Sequence, residues 1–259
     1  MSDKNLSLAT WLLPLLPLAL AGFTYFSGLQ TSSFLLINNF CQIIPDIIWA
    51  GLTFLGNGWG TFAIAFPLLL LAPRVLSAGI ITGIISAITI STLKPFLQFP
   101  RPAAILTEGS FHRIGELLLS RAFPSGHTFT AFAIASALYF SCVKDKRSPL
   151  ILLFVVASLV GLSRIAVGAH WLTDVFAGAS IGMWCGMLGA KLSQLIPSSW
   201  LRPNKLWPRV IAFGGIVTSY TLLTQTIDIE LNKPIQYACV GLIAITLVLF
   251  VKAQKTKVI

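Results

Sequence analysis

Residues 149–192 read PLILLFVVASLVGLSRIAVGAHWLTDVFAGASIGMWCGMLGAKL, two apolar runs joined by a turn that holds Arg164, His170 and Asp174. Each run approaches the ~20 residues that carry a helix across a ~30 Å hydrocarbon core. Ionisable side chains between two such runs are costly to keep at membrane depth, which marks these three as candidates for function. His170 and Asp174 are four residues apart, hence on one helical face.

The same pattern extends outward. The 259 residues are 56% hydrophobic and 10% charged, where soluble domains average about 25% charged. The fold class that follows is all-α, a polytopic bundle of membrane helices with little chain left for a soluble domain. Apolar runs at Trp11 to Leu29, within Ile48 to Ala72, and at Val75 to Leu93 give the first three of eight expected spans. Thr128 to Val143, Pro149 to Ile165, Trp171 to Leu192, Val210 to Ile227 and Ile235 to Val251 give the rest. Phe34 to Ile44 is too short to cross and is assigned to the outer interface, and Gly56-Asn57-Gly58 blurs the start of the second span. Pro95, Pro100 and Pro102 exclude a regular helix from the loop after the third span. Ala19-Leu20-Ala21 resembles a signal-peptidase site, but hydrophobicity continues through Phe23, Tyr25 and Phe26, which suits a retained helix.

The net charge of +10 comes from basic residues scattered between apolar runs, a topological signal rather than a nucleic-acid surface. With both termini cytoplasmic, that side collects Lys4, Arg74, Lys144, Lys146, Arg147, Lys191, Arg202, Lys205, Arg209, Lys252, Lys255 and Lys257, twelve of the eighteen basic residues. Lys94, Arg101, Arg113, Arg121, Arg164 and Lys233 fall outside. Cys41, Cys142, Cys185 and Cys239 follow no metal-ligand spacing and read as apolar fillers. Gly178, Gly182, Gly186 and Gly189 read as a helix-packing stripe.

This topology brings three segments to one face: Lys94 with Arg101-Pro102, Pro124-Ser125-Gly126-His127, and Ser163-Arg164 with His170 and Asp174. Three cations face a single nearby carboxylate, so the excess charge implies an anionic ligand. Arg offers a planar fork to phosphate oxygens and Lys a point charge. Gly126 permits close backbone approach where a helix begins, and free N–H groups there favour an anion. Asp174 accepting a hydrogen bond from one nitrogen of His170 would fix its tautomer and leave the other as nucleophile. His127, at another helix start, is placed to protonate a leaving oxygen. The cations would spread phosphoryl charge without a metal, and they oppose a zinc site built from His127, His170 and Asp174. His112, Arg113, Glu116 and Arg121 in the outer loop read as solvated or paired residues.

Lys94, six residues, Arg101-Pro102; Pro124-Ser125-Gly126-His127; and Ser163-Arg164, five residues, His170, three residues, Asp174 resemble the three-part signature of the type II phosphatidic acid phosphatase superfamily. That superfamily includes lipid phosphate phosphatases, glucose-6-phosphatase and vanadium haloperoxidases. The resemblance implies a six-helix phosphatase core, residues 1–200, to which residues 201–259 add a C-terminal pair of transmembrane helices. It implies Lys94, Arg101, Ser125, Gly126 and Arg164 as phosphate ligands, His127 as acid, His170 as nucleophile and Asp174 as its orienter, with no cofactor and no metal. The expected activity is hydrolysis of a membrane lipid phosphate or pyrophosphate through a phosphohistidine, at the outer face of a bacterial plasma membrane. Undecaprenyl pyrophosphate is the favoured substrate, with phosphatidylglycerol phosphate, phosphatidic acid and lipid A as others. The alternatives are a phosphotransferase that passes the group from undecaprenyl pyrophosphate to lipid A, and a non-catalytic lipid-phosphate binding or flipping protein.

Overall fold

The computed structural model describes residues 6–255, and every regular element among them is a helix. In chain order the longer ones are α1 (Leu8–Phe26), α2 (Gln30–Cys41), α3 (Asp46–Leu55), α4 (Gly58–Ala65), α5 (Pro73–Phe96), α6 (Gly126–Ser141), α7 (Leu152–Ala166), α8 (Leu172–Ser193), α9 (Leu206–Thr224) and α10 (Lys233–Lys255). Six of them, α1, α5 and α7 to α10, are long and apolar enough to cross a membrane, some with a 3₁₀ turn at one end. The chain is a multi-pass membrane protein. Lys4 and Lys257, both counted toward the cytoplasmic side, lie outside the described residues.

Two of the eight expected spans take other forms. The second is not one helix: Gly56 ends α3, Asn57 caps α4 by accepting the Trp59 N–H at 3.0 Å, and a further turn, Leu68–Leu71, follows Pro67. The fourth, α6, has 16 residues, fewer than the ~20 a free-standing span needs. Its flanks are covered by α5, α7 and α8, so protein rather than lipid surrounds it.

The glycine stripe sets how close α6 and α8 come. A Cβ at Gly178 would stand 2.7 Å from the Ser125 carbonyl oxygen, and one at Gly182 or Gly186 would collide with the carbonyl of Phe129 or Ala133. A Cβ at Gly189 would collide with the Thr82 hydroxyl of α5. The stripe therefore lets α8 pack backbone to backbone at the centre of the bundle, as small residues do between membrane helices.

Asn38 anchors the outer end of the core. Its buried amide donates to the carbonyls of His112, Ile165 and Ala166 at 2.9, 2.9 and 3.1 Å, and its oxygen accepts the His112 N–H at 2.8 Å. These bonds satisfy carbonyls at the C-terminal end of α7, which lack helical partners, and tie the 97–125 loop down beside them. His112 is paired, with Nε2 2.9 Å from Asp46 Oδ1. α9 and α10 join the bundle through Phe54, Phe66 and Leu76, which pack with Ile211, Leu222 and Ile243 in one apolar cluster.

Helix direction within the bundle decides where the polar residues go. Lys94 ends α5, Gly126 and His127 begin α6, Arg164 ends α7, Asp174 begins α8, and residues 225–232 link α9 to α10. All five lie at the same end of antiparallel helices.

Candidate active site

The helix starts and ends just described surround a cavity of about 790 Å³. Lys94, Arg101, Gly126, His127, Arg164 and His170 all line it. The three sequence segments, spread over residues 94–174, thus meet in one place.

His170 sits in the turn between α7 and α8 and is 1% exposed. Its Nδ1 lies 3.2 Å from Asp174 Oδ2, the same oxygen that accepts the Trp171 N–H at 2.9 Å. Asp174 thereby does two things: it caps the first turn of α8, as an acidic residue at the third helical position can, and it holds the imidazole. A carboxylate on Nδ1 selects the tautomer with its proton there, which leaves a lone pair on Nε2. Arg101 Nη1 stands 3.3 Å from that Nε2. Burial pushes the His170 pKa well below the ordinary imidazole value, and the charges of Arg101, Arg164 and Lys94 push it the same way. The ring is therefore neutral and carries an available lone pair.

Arg101 is fixed from behind: its Nε donates to the Ser120 carbonyl at 2.8 Å and Nη1 to the Ala169 carbonyl at 3.0 Å. Trp171 braces the same loop by donating from Nε1 to the Pro100 carbonyl at 2.9 Å. Arg164 is 5% exposed; Nη1 donates to Thr53 Oγ1 at 3.2 Å, and Thr53 is 3.0 Å from Ser163 Oγ. The buried Nε of Arg164 has no partner among the described residues. An unpartnered guanidinium N–H beside the cavity is a donor held ready for an anion.

Gly126 opens α6 with Lys94 Nζ beside it, 3.7 Å from where a Cβ would stand, an ordinary contact distance. The first amides of α6 have no helical acceptor and add partial positive charge at the cavity. Ser125 lies beneath this start: its N–H donates to the Asp174 carbonyl at 3.0 Å, and its fully buried hydroxyl accepts from Thr128 at 3.0 Å. It joins α6 to α8, tying the helix that carries His127 to the one that carries Asp174. Arg113 and Glu116, expected to be solvated, are exposed and also line the cavity.

One group at the site was not anticipated from sequence. Asp228, in the link between α9 and α10, lies with Oδ1 2.9 Å from His127 Nε2 and accepts from Asn57 Nδ2 at 3.2 Å. The only signal available was an acidic residue in a short link on the same side as the three segments. Where a single nearby carboxylate was expected, Asp228, Glu116 and Glu230 all line the cavity.

The helical membrane bundle thus presents three cations and a carboxylate-held imidazole to one cavity. Its family is shown by similarity to known proteins. The PAP2 superfamily model matches residues 68–196, and the crystal structure of Aquifex aeolicus LpxE is 32% identical, covering 63% of this chain and 95% of that one with a TM-score of 0.54. The chain belongs to the PAP2 superfamily. A transmembrane PAP2-type phosphatidylglycerolphosphate phosphatase from Bacillus subtilis shares the fold, with a TM-score of 0.52 at 23% identity over 71% of this chain and 95% of that one. A lipid A 1-phosphatase of Porphyromonas gingivalis is 42% identical over 79 residues, 30% of this chain and 17% of that protein. Phosphatidylglycerophosphatase B of Bacillus subtilis is 33% identical over 100 residues, 35% of this chain and 44% of that protein. A lipid A 1-phosphatase of Rhizobium etli is 30% identical over 146 residues, 52% of this chain and 60% of that protein. The chain spans less than two thirds of the length of each of these curated relatives.

Proposed function

We propose that this protein is a membrane phosphatase that hydrolyses a lipid phosphate or diphosphate through a phospho-His170 intermediate at the outer face of a bacterial plasma membrane. The observation that carries the proposal is the neutral imidazole held between Asp174 on Nδ1 and Arg101 beside Nε2, in a cavity whose other cations are Lys94 and Arg164. Lys94, Arg101, Arg164 and the backbone at Gly126 bind the phosphoryl oxygens, with Ser125 supporting that backbone. His170 Nε2 forms a bond to phosphorus as the bond to the lipid oxygen breaks, and His127 gives that oxygen a proton. Water then attacks the phosphohistidine, returns a proton to His127 and releases phosphate. The cations stabilise charge on the transferring group, the dominant need in phosphoryl transfer.

A lipid is the fitting substrate because an apolar groove of about 470 Å³ runs from Lys94 past Ile90, Ala87 and Ile134 along α5 and α6. A tail lying there leaves its phosphate at the cavity. Undecaprenyl diphosphate stays first among substrates, with lipid A next; Arg113 at the cavity wall adds a fourth cation, set against Glu116 and Glu230 on the same wall. Detergent-solubilised protein in EDTA, offered undecaprenyl diphosphate, lipid A, phosphatidylglycerol phosphate and phosphatidic acid, is expected to release phosphate from at least one. Failure on all four by folded protein rejects the proposal. Label transferred to an acceptor lipid in place of release would replace hydrolysis by phosphotransfer.

The pH profile follows from the electrostatics of His170. Its lowered pKa keeps the nucleophile neutral further into acid, so the acid limb of kcat/KM, which reports the free enzyme, is expected below the ordinary imidazole value of about 6.5. A limb at or above that value, measured on wild type, contradicts the assignment.

A further inference from the structure

We infer that Asp228 is a positioning residue for the acid: the link between α9 and α10 reaches over the cavity and holds the His127 ring by Nε2, leaving Nδ1 to serve the substrate. The inference rests on the phosphatase reading above and gives the C-terminal helix pair a part in the reaction. Asp228 lies beyond residues 68–196, so the family match does not account for it.

Four observations carry it. First, the contact is short, 2.9 Å, and is the one hydrogen bond of the His127 ring among the described residues, so Nδ1 has no competing partner. Second, the carboxylate is itself aimed. Asn57 donates to the same Oδ1, while the buried Oδ2 has no partner among the described residues. Third, Asp228 has φ +62°, a left-handed conformation that few residues other than Gly adopt and that Asn and Asp tolerate best. Strain of this kind persists where the surroundings impose it. Fourth, those surroundings are built. Buried Gln236 donates to the carbonyls of Leu222 and Gln225, both at 2.8 Å, and accepts the Ile227 N–H at 3.0 Å. Ile227 and Ile229 on either side are buried, and Ile229 packs against Gly115 of the loop across the cavity.

The groups that face His127 and Asp228 are Arg164 from α7, Lys94 from α5 and Asn57 at the start of α4. Burial raises the Asp228 pKa, but the His127 hydrogen bond and charge, the Arg164 charge and the Asn57 hydrogen bond outweigh it. The carboxylate is ionised, and its hydrogen bond and charge favour a second proton on the His127 ring, against burial and the charges of Arg164 and Lys94. The arrangement mirrors the other histidine. Asp174 holds His170 by Nδ1 and frees Nε2 to attack; Asp228 holds His127 by Nε2 and frees Nδ1 to donate. In the first step the Nδ1 proton passes to the departing lipid oxygen as the P–O bond breaks. In the second, water adds its oxygen to phosphorus, its proton goes to Nδ1, and the N–P bond to His170 breaks.

The test uses leaving groups, with a lipid phosphate monoester as the lipid substrate, because its alkoxide needs a proton far more than p-nitrophenolate does. Asp228→Asn keeps the shape and the left-handed backbone and removes the charge. In full-length protein in detergent, phosphoenzyme formation from the lipid substrate is expected to slow by about 10²-fold, and the p-nitrophenol burst from p-nitrophenyl phosphate by less than about threefold. In a His127→Asn background the same change is expected to add nothing, since the two act as one unit. Equal losses on both substrates, or a further loss in the His127→Asn background, would make Asp228 structural and overturn the inference. An unchanged lipid rate in Asp228→Asn, with wild type active, would overturn it while leaving the phosphatase reading intact; an inactive wild type would sink that reading instead. Should Asp228→Asn not fold, Asn57→Ser, which keeps the α4 cap and removes the donor to Oδ1, is expected to lose about fivefold on the lipid alone. No loss, or loss on both substrates, overturns the inference there too.

Discussion

His170→Ala is expected to abolish the covalent intermediate and to lower turnover by about 10⁴-fold or more, the scale on which removal of a nucleophile acts. Nε2 of His170 carries the lone pair that its tautomer leaves free, and Arg101 Nη1 stands 3.3 Å from it. Alanine removes the lone pair and leaves the anion site standing, because Arg101 is held by Ser120 and Ala169 carbonyls and Arg164 by Thr53. Substrate binding is therefore expected to change little, and the loss to fall on kcat. Acid quenching with labelled substrate reads the difference directly: wild type carries label on the protein and His170→Ala carries none. Label that persists in the variant would transfer the nucleophile's role to His127, the other imidazole at the cavity.

The membrane helices were legible because hydropathy is a property of each segment alone. α5 and α8 fall where the apolar runs place them, and Phe34 to Ile44, too short to cross, lies mostly in the short helix α2. The second span was not legible as three pieces. Gly56, Asn57 and Pro67 mark the breaks, but only the packing of Phe54 and Phe66 against α9 and α10 shows why a broken segment is stable there. Asn38 looked like an interruption of an apolar run, whereas it satisfies three carbonyls, two of them more than a hundred residues away. The site divides in the same way. Lys94, Arg101, His127, Arg164, His170 and Asp174 stood out as charge in an apolar context at recurring spacing. Ser125 stood out equally, yet its hydroxyl turns to Thr128. Asp228 carried no local pattern, since its partner His127 is 101 residues away and nothing in a lone aspartate between two spans names the helix start it will meet.

Asp174→Asn is the second large effect, expected to lower kcat by about 10³-fold, or about 4 kcal/mol of barrier. As Nε2 bonds to phosphorus the His170 ring becomes cationic, and the carboxylate 3.2 Å from Nδ1 is what stabilises that charge in a site only 2% exposed. Asparagine is neutral: with its oxygen in the place of Oδ2 it still accepts from Nδ1, so the tautomer is kept and the stabilising charge is what is lost. The fold has little reason to change. Asparagine still offers an oxygen to the Trp171 N–H, and the bond from Ser125 N–H goes to the backbone carbonyl of residue 174, which the substitution keeps. A thermal midpoint close to wild type together with the loss in kcat separates chemistry from stability. Binding of vanadate, which resembles the phosphoryl transition state, is expected to weaken along with kcat, since both rely on the charged Asp174–His170 pair, while binding of phosphate falls far less. If Asp174→Asn retains a rate within about tenfold of wild type, the charge of the carboxylate is not what stabilises the ring, and its part is to cap α8 and hold the tautomer.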